Sequence, residues 1–108
     1  MEYINRIELQ GIVGAVKEIP VGDTKVMRFS VCTEYAYRDK SGTSIIDCTW
    51  HSVVAYPPAG ESWDWLTKQA KVWVLGRLRT RRYVRPDGSE AYSNEIVAKN
   101  VKPLISEV

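Results

Sequence analysis

The chain has 108 residues, 44% of them hydrophobic and 26% charged, with a formal net charge of +2. That length supports one domain over residues 1–108 with a single modest core, and so small a net charge does not by itself mark a polyanion binder. No run approaches the ~18 apolar residues of a membrane span, and Met1–Asn5 lacks the regions of a signal peptide, so a cytoplasmic protein without a membrane partner is expected.

The predicted elements are strands, with one exception. Ile4 to Val16 alternates around Ile7 and Leu9, with Gly11 and Gly14 permitting sharp curvature. Pro20 to Thr24, containing Gly22-Asp23, reads as a turn. Lys25 to Tyr37 is a second strand, with Met27, Phe29 and Val31 on one face and Arg28 and Ser30 on the other. A polar hairpin loop, Arg38 to Thr43, leads into a third strand over Ser44 to Tyr56. In the next segment Ser62 is placed to cap a short helix through Lys68, which would turn Trp63 and Leu66 to the core. A fourth strand covers Lys71 to Arg85, Pro86-Asp87-Gly88 is a turn, and a fifth strand runs from about Ala91 to Val101. Five strands with a helix between the third and fourth give the order of an OB-fold, an all-β Greek-key barrel that often binds oligonucleotides.

The fourth strand carries the sharpest signal. With period two, Lys71, Trp73, Leu75, Arg77, Arg79, Arg81, Tyr83 and Arg85 share one face; Val72, Val74, Gly76, Leu78, Thr80, Arg82 and Val84 share the other. The reading is an apolar inner face and a cationic, aromatic outer one, with Arg82 out of phase with the other arginines. Five of the 15 basic residues fall within positions 77–85, a local field that the net charge hides. Positive charge beside flat rings suits a single-stranded nucleic acid.

Other chemistries find little support. Cys32 and Cys48 are too few for a disulfide scaffold and lack metal-ligand spacing, so buried, reduced thiols are expected, with a cross-strand redox pair as the alternative. Asp47, Cys48, His51 and Ser52 are close in sequence, but their parities scatter them over both faces of a strand, and no oxyanion-hole or nucleophile-elbow pattern accompanies them. No Gly-rich phosphate loop and no metal cluster is present in the sequence. The expectation is a non-enzyme without cofactor or metal.

At this point the residues resemble a family, the bacterial single-stranded DNA-binding proteins. Asn5-Arg-Ile-Glu-Leu-Gln-Gly-Ile-Val-Gly14 is similar to that family's opening strand, and Phe29-Ser-Val-Cys-Thr33 with Tyr37-Arg-Asp-Lys40 to its second strand and loop. Thr49-Trp-His-Ser-Val-Val-Ala-Tyr56, Val72 to Tyr83 and Glu95-Ile-Val-Ala98 resemble its third, fourth and fifth strands. The resemblance implies binding of single-stranded DNA with little sequence preference, in replication, recombination and repair. It implies stacking of bases on Tyr37, Trp50, Tyr56 and Tyr83, with phosphates held by Arg77, Arg79, Arg81, Arg82, Lys40 and Lys68. Apolar neighbours on both faces of the third strand leave a core placement of Trp50 open as well.

The resemblance further implies a homo-oligomer, usually a tetramer with a dimer possible, with His51, Trp73 and Leu75 at subunit contacts and a bacterial, nucleoid-associated location. The acidic tail that members of the family commonly carry has no counterpart after Leu104, so tail-mediated partners are not implied. A dimeric primosomal accessory protein of the same fold and an OB-fold module that binds protein are the alternatives.

Overall fold

The computed structural model describes residues 1–104; the closing Ile-Ser-Glu-Val, read above as the tail-less end, lies outside the described residues. Five strands form it: β1 (Ile7–Val21), β2 (Thr24–Arg38), β3 (Ser44–Ala55), β4 (Lys71–Val84) and β5 (Glu90–Pro103). They close into a barrel in the order β1-β2-β3-β5-β4, with β4 returning to β1. All pairings are antiparallel except β3 with β5. This is the expected all-β OB-type barrel, and closure leaves no open sheet edge at its girth.

The core follows from alternation. Leu9 and Val13 of β1, Met27, Phe29 and Val31 of β2, Val53 of β3, Val72 and Val74 of β4 and Ile96 of β5 are buried in one cluster, closed at one end by Trp63 and Leu66. Alternation in β1 breaks once. Val13 pairs with Val31 but Val16 with Phe29, so one surplus residue bulges and inward parity passes from odd to even positions. The turn expected over Pro20 to Thr24 narrows to two residues, Gly22-Asp23, because β1 and β2 pair as far as Val21 and Thr24. Gly22, at φ 59°, supplies the positive dihedral that so tight a hairpin requires.

The helix expected over 62–68 does not form; no helix occurs among the described residues. The segment is a chain of turns instead, with the Leu66 amide donating to Trp63 O and that of Ala70 to Thr67 O, each spanning three residues. The physical reason lies in its end. Gln69 N donates to Val13 O and Val13 N to Ala70 O, both at 2.8 Å. Those bonds to β1, with Gln69 at φ 77°, draw the backbone away before a helical turn can repeat. Trp63 and Leu66 reach the core all the same.

Two hairpins extend beyond the barrel: the far half of β2–β3 and that of β4–β5. A radius of gyration of 16.6 Å, against about 13 Å for a compact domain of this length, reflects these arms. On the β4–β5 arm the expected inner face is no longer inside: Leu78 is 44% exposed and Val84 63%. Alternation therefore describes an apolar face of β4 only as far as Gly76, where the pairing with β5 slips by one residue. Beyond that point β4 is exposed on both faces apart from half-buried Arg79, while Ala91, Glu95 and Ile96 of β5 opposite it stay buried.

The cysteines also depart from expectation. Cys32 and Cys48 are joined as a disulfide, with Cα atoms 6.4 Å apart, and Cys48 is exposed while Cys32 is half-buried. Cys48 pairs with Glu34 and Cys32 with Trp50, so the two are diagonal neighbours on one face of the ladder, close enough to bridge.

Candidate nucleic-acid interface

Strand register assembles the site. Position 77 on β4 stands opposite 97 on β5, 97 beside 54 on β3, and 54 opposite 28 on β2. Arg77, Val97, Val54 and Arg28 thus form one row across four strands on the barrel's outer surface, the face away from Phe29, Val53 and Ile96. Trp50 and Tyr56 share the parity of Val54 and stand on the same face, one on each side of that row. Trp50 is 59% exposed and Tyr56 57%, so the core placement of Trp50 does not occur.

A buried carboxylate organises the arginines. Glu95, 4% exposed, is the buried charged residue among the described ones. Its Oε2 accepts from Arg28 Nη1 at 2.9 Å, and its Oε1 accepts from Arg79 Nε at 3.1 Å and again from Arg79 Nη2. Burial alone would push the Glu95 carboxyl up; the hydrogen bonds and charges of Arg79 and Arg28 outweigh it and hold the group below the usual carboxylate range. On the other side, Glu95 raises the Arg79 guanidinium further, against a smaller opposing effect of burial, and the Tyr56 hydroxyl adds in the same sense. The two arginines and the carboxylate form a cluster of net charge +1, with the acid beneath and the cations half-exposed above.

The arginines of β4 therefore differ in what they offer. Arg79 is committed to Glu95, and Arg82, the residue out of phase, is paired with Glu90. Arg77, Arg81 and Arg85 are exposed and make no ion pair among the described residues. Arg81 and Tyr83 share a face of the β4–β5 arm, opposite Ser93 and Ala91.

Tyr37 lies on the other arm. It pairs with Ile45 at odd separation from Cys32, so by register it faces away from Trp50. Its neighbour two residues back, Tyr35, is exposed, with ring centroids 6.2 Å apart and planes tilted by 32°. Lys40 sits in the loop at the tip of this arm, beside an Asp39 carboxylate that Ser41 and Thr43 cap and hold below its ordinary range. Lys68 is exposed in the turns before β4. The expected residues thus occupy one barrel face and two flanking arms rather than a single patch.

Of the residues expected at subunit contacts, His51 and Trp73 have side-chain partners within the chain, and Leu75 is half-buried. The Thr33 hydroxyl and His51 Nε2 are hydrogen-bonded at 2.8 Å. Trp73 Nε1 donates to Glu8 Oε2 at 2.8 Å, and the Lys102 ammonium stands 5.6 Å from the Trp73 ring centroid. Arg28 is the site-facing residue that sequence reasoning passed over; Tyr35, exposed beside Tyr37, shares that ring's face of the β2–β3 arm. Arg28 was legible as an outward residue of the second strand; nothing in its neighbourhood tied it to Glu95, 67 positions away.

A closed five-stranded barrel in this order, with exposed rings and guanidinium groups gathered on one face, defines an OB-fold protein. The model of the single-strand binding protein family matches residues 4–104, and the chain belongs to that family. It is 31% identical over 105 residues to a single-stranded DNA-binding protein of Neisseria meningitidis, covering 94% of this chain and 60% of that one. A protein of the same description from Xanthomonas campestris is 32% identical over 104 residues, with 94% and 60% covered. The chain thus spans about 60% of the length of these relatives.

Among solved structures, Plasmodium falciparum SSB in complex with ssDNA superposes with a TM-score of 0.77 at 27% identity, covering 97% of this chain and 98% of that one. The small single-stranded DNA-binding protein of Streptomyces coelicolor gives 0.71 at 23% identity, covering 97% of each, a likeness of fold.

Proposed function

We propose that this chain binds single-stranded DNA with little regard to sequence, protecting exposed strands during replication, recombination and repair. The observation that carries the reading is the exposed Trp50 indole lying on the same barrel face as Tyr56 and the Arg28–Glu95–Arg79 cluster. A stacked base is bound through a π-face that every base has, so rings of this kind give affinity without a code. Arg77, Arg81 and Arg85, without an ion pair among the described residues, supply guanidinium groups for phosphates; Arg28 and Arg79 supply their outward nitrogens, while Glu95 fixes their direction. The strand passes from this face to Tyr83 on one arm and to Tyr37 and Lys40 on the other. Lys68 is an outlying phosphate contact and Arg82, tied to Glu90, a weaker one.

Membership of the family supports the reading, as do the relatives' descriptions. The same resemblance supports a homo-oligomer, with a tetramer as the proposed form, acting in the cytoplasm. Titration with homopolymeric single strands tests the function: binding should quench tryptophan fluorescence and weaken with salt. An absence of binding at low salt would overturn it.

A further inference from the structure

The Trp50 indole does not stand free on the barrel. It is rooted in β3, yet its far edge reaches β1: a Cβ placed on Gly14 would stand 2.7 Å from Cη2 and nearer still to Cζ3. Because β2 separates those strands and neighbouring strands are about 4.8 Å apart, the ring must lie across β2, along the barrel surface. Its benzo edge occupies the space that a side chain at position 14 would fill.

The backbone beneath is shaped for this. At the bulge in β1, Gly14 and Ala15 together stand against Ser30. The Ala15 amide, which the ladder leaves over, donates to Ser30 Oγ at 3.0 Å, and that oxygen would itself be 2.9 Å from a Cβ on Gly14. Gly14 is not among the glycines with positive φ, so no backbone dihedral calls for glycine there. Space does.

We propose that Gly14 is a positioning residue: the bulge and its missing side chain form a seat that holds the Trp50 indole flat, with its outer face turned to an incoming base. The proposal rests on the reading that Trp50 stacks a base. A ring already lying down loses little freedom when a base settles on it, so its stacking is retained as affinity. A methyl group at position 14 displaces the ring edge and returns Trp50 to a mobile, upright side chain.

The test is a double-mutant cycle on the full chain with Gly14→Ala and Trp50→Ala, read by affinity for a short oligo-dT. A 5-fluorotryptophan spectrum accompanies it, with the Trp50 resonance among the four tryptophans identified by its loss in Trp50→Phe. Gly14→Ala should weaken binding about 5- to 150-fold, the worth of one stacked base, and shift the Trp50 resonance while leaving the other three in place. In the Trp50→Ala background the same substitution should change affinity by less than about twofold, the edge it would strike being gone.

Losses that multiply in the double variant, or an unmoved Trp50 resonance, would overturn the seat. Should Gly14→Ala fail to fold, recovery of folding in the double variant upholds the clash with the ring, and continued failure overturns it. If Trp50→Ala alone binds like the parent, the stacking reading fails. The fluorine shift then decides the seat by itself, upheld if Gly14→Ala moves the resonance and overturned if it does not.

Discussion

At the scale of residues, exposure and partners separate side chains that look alike in sequence. Trp50 and Trp73 both lie on strands with alternating faces, but Trp50 is exposed on the outer face while Trp73 is half-buried, bonded to Glu8 and covered by Lys102. Trp50→Ala should therefore cost about 1–3 kcal/mol of binding to single-stranded DNA, whereas Trp73→Ala should lower the melting temperature and leave affinity nearly unchanged. Equal loss of affinity in the two variants, measured by titration, would contradict this division. Glu95 makes a different prediction. Its folded pKa lies below the ordinary carboxylate value, so its contribution to stability is fully present above about pH 4.3 and is lost as pH falls through the lowered value. Glu95→Gln should destabilise the barrel by about 1–2 kcal/mol at neutral pH, less than for a fully buried pair because the arginines are half-exposed. It should also flatten the acid limb of the stability curve, which thermal melts from pH 3 to 7 would show.

At the scale of elements, the barrel strands were legible because burial on one side imposes alternation, and the barrel parts of β2 and β4 obey it, whereas Val53, Val54 and Ala55 of β3 are buried in succession. Legibility stopped where that constraint did. Past Gly76 the β4 side chains lie exposed on both faces apart from half-buried Arg79, so the parity that predicted an apolar face for Leu78 and Val84 did not decide their burial. The segment over 62–68 has a helical spacing of Trp63 and Leu66, but its backbone is claimed by Val13, a bond between distant positions that no local pattern announces. In the same way the outward arginines could be seen, while their division between carboxylates and solvent depended on register. That division predicts distinct salt responses. Arg77→Ala and Arg81→Ala should each reduce the slope of log affinity against log salt by about 0.7, one phosphate contact on a single strand. Arg82→Ala, whose guanidinium is held by Glu90, should leave the slope nearly unchanged. Gly76 is the element's structural pivot: a Cβ there would press into Val97 O of β5. Gly76→Ala should cost about 1–3 kcal/mol of stability by overpacking, seen as a lower denaturation midpoint with the slope of unfolding preserved.

At the scale of the whole molecule, a closed barrel presents one face of rings and guanidinium groups, flanked by two arms that carry Tyr83 and Tyr37. The net charge of +2 conceals this arrangement, because acids are placed beneath or behind the cations: Glu95 under Arg28 and Arg79, Glu90 beside Arg82. A long, flexible polyanion with flat bases fits such a surface better than a compact ligand does. The proposed assembly belongs to this scale as well, and the mass in solution should be a multiple of the chain's 12.3 kDa, four-fold for the proposed tetramer; a single-chain mass at micromolar concentration would contradict it. The most direct measurement is a titration of the full chain with poly-dT at a series of salt concentrations, following tryptophan fluorescence. Quenching should be saturable and lost for the most part in Trp50→Ala, and affinity should fall with salt by about 0.7 in log–log slope for each phosphate neutralised. Absence of binding at low salt, or equal affinity for duplex DNA, would contradict the proposed function.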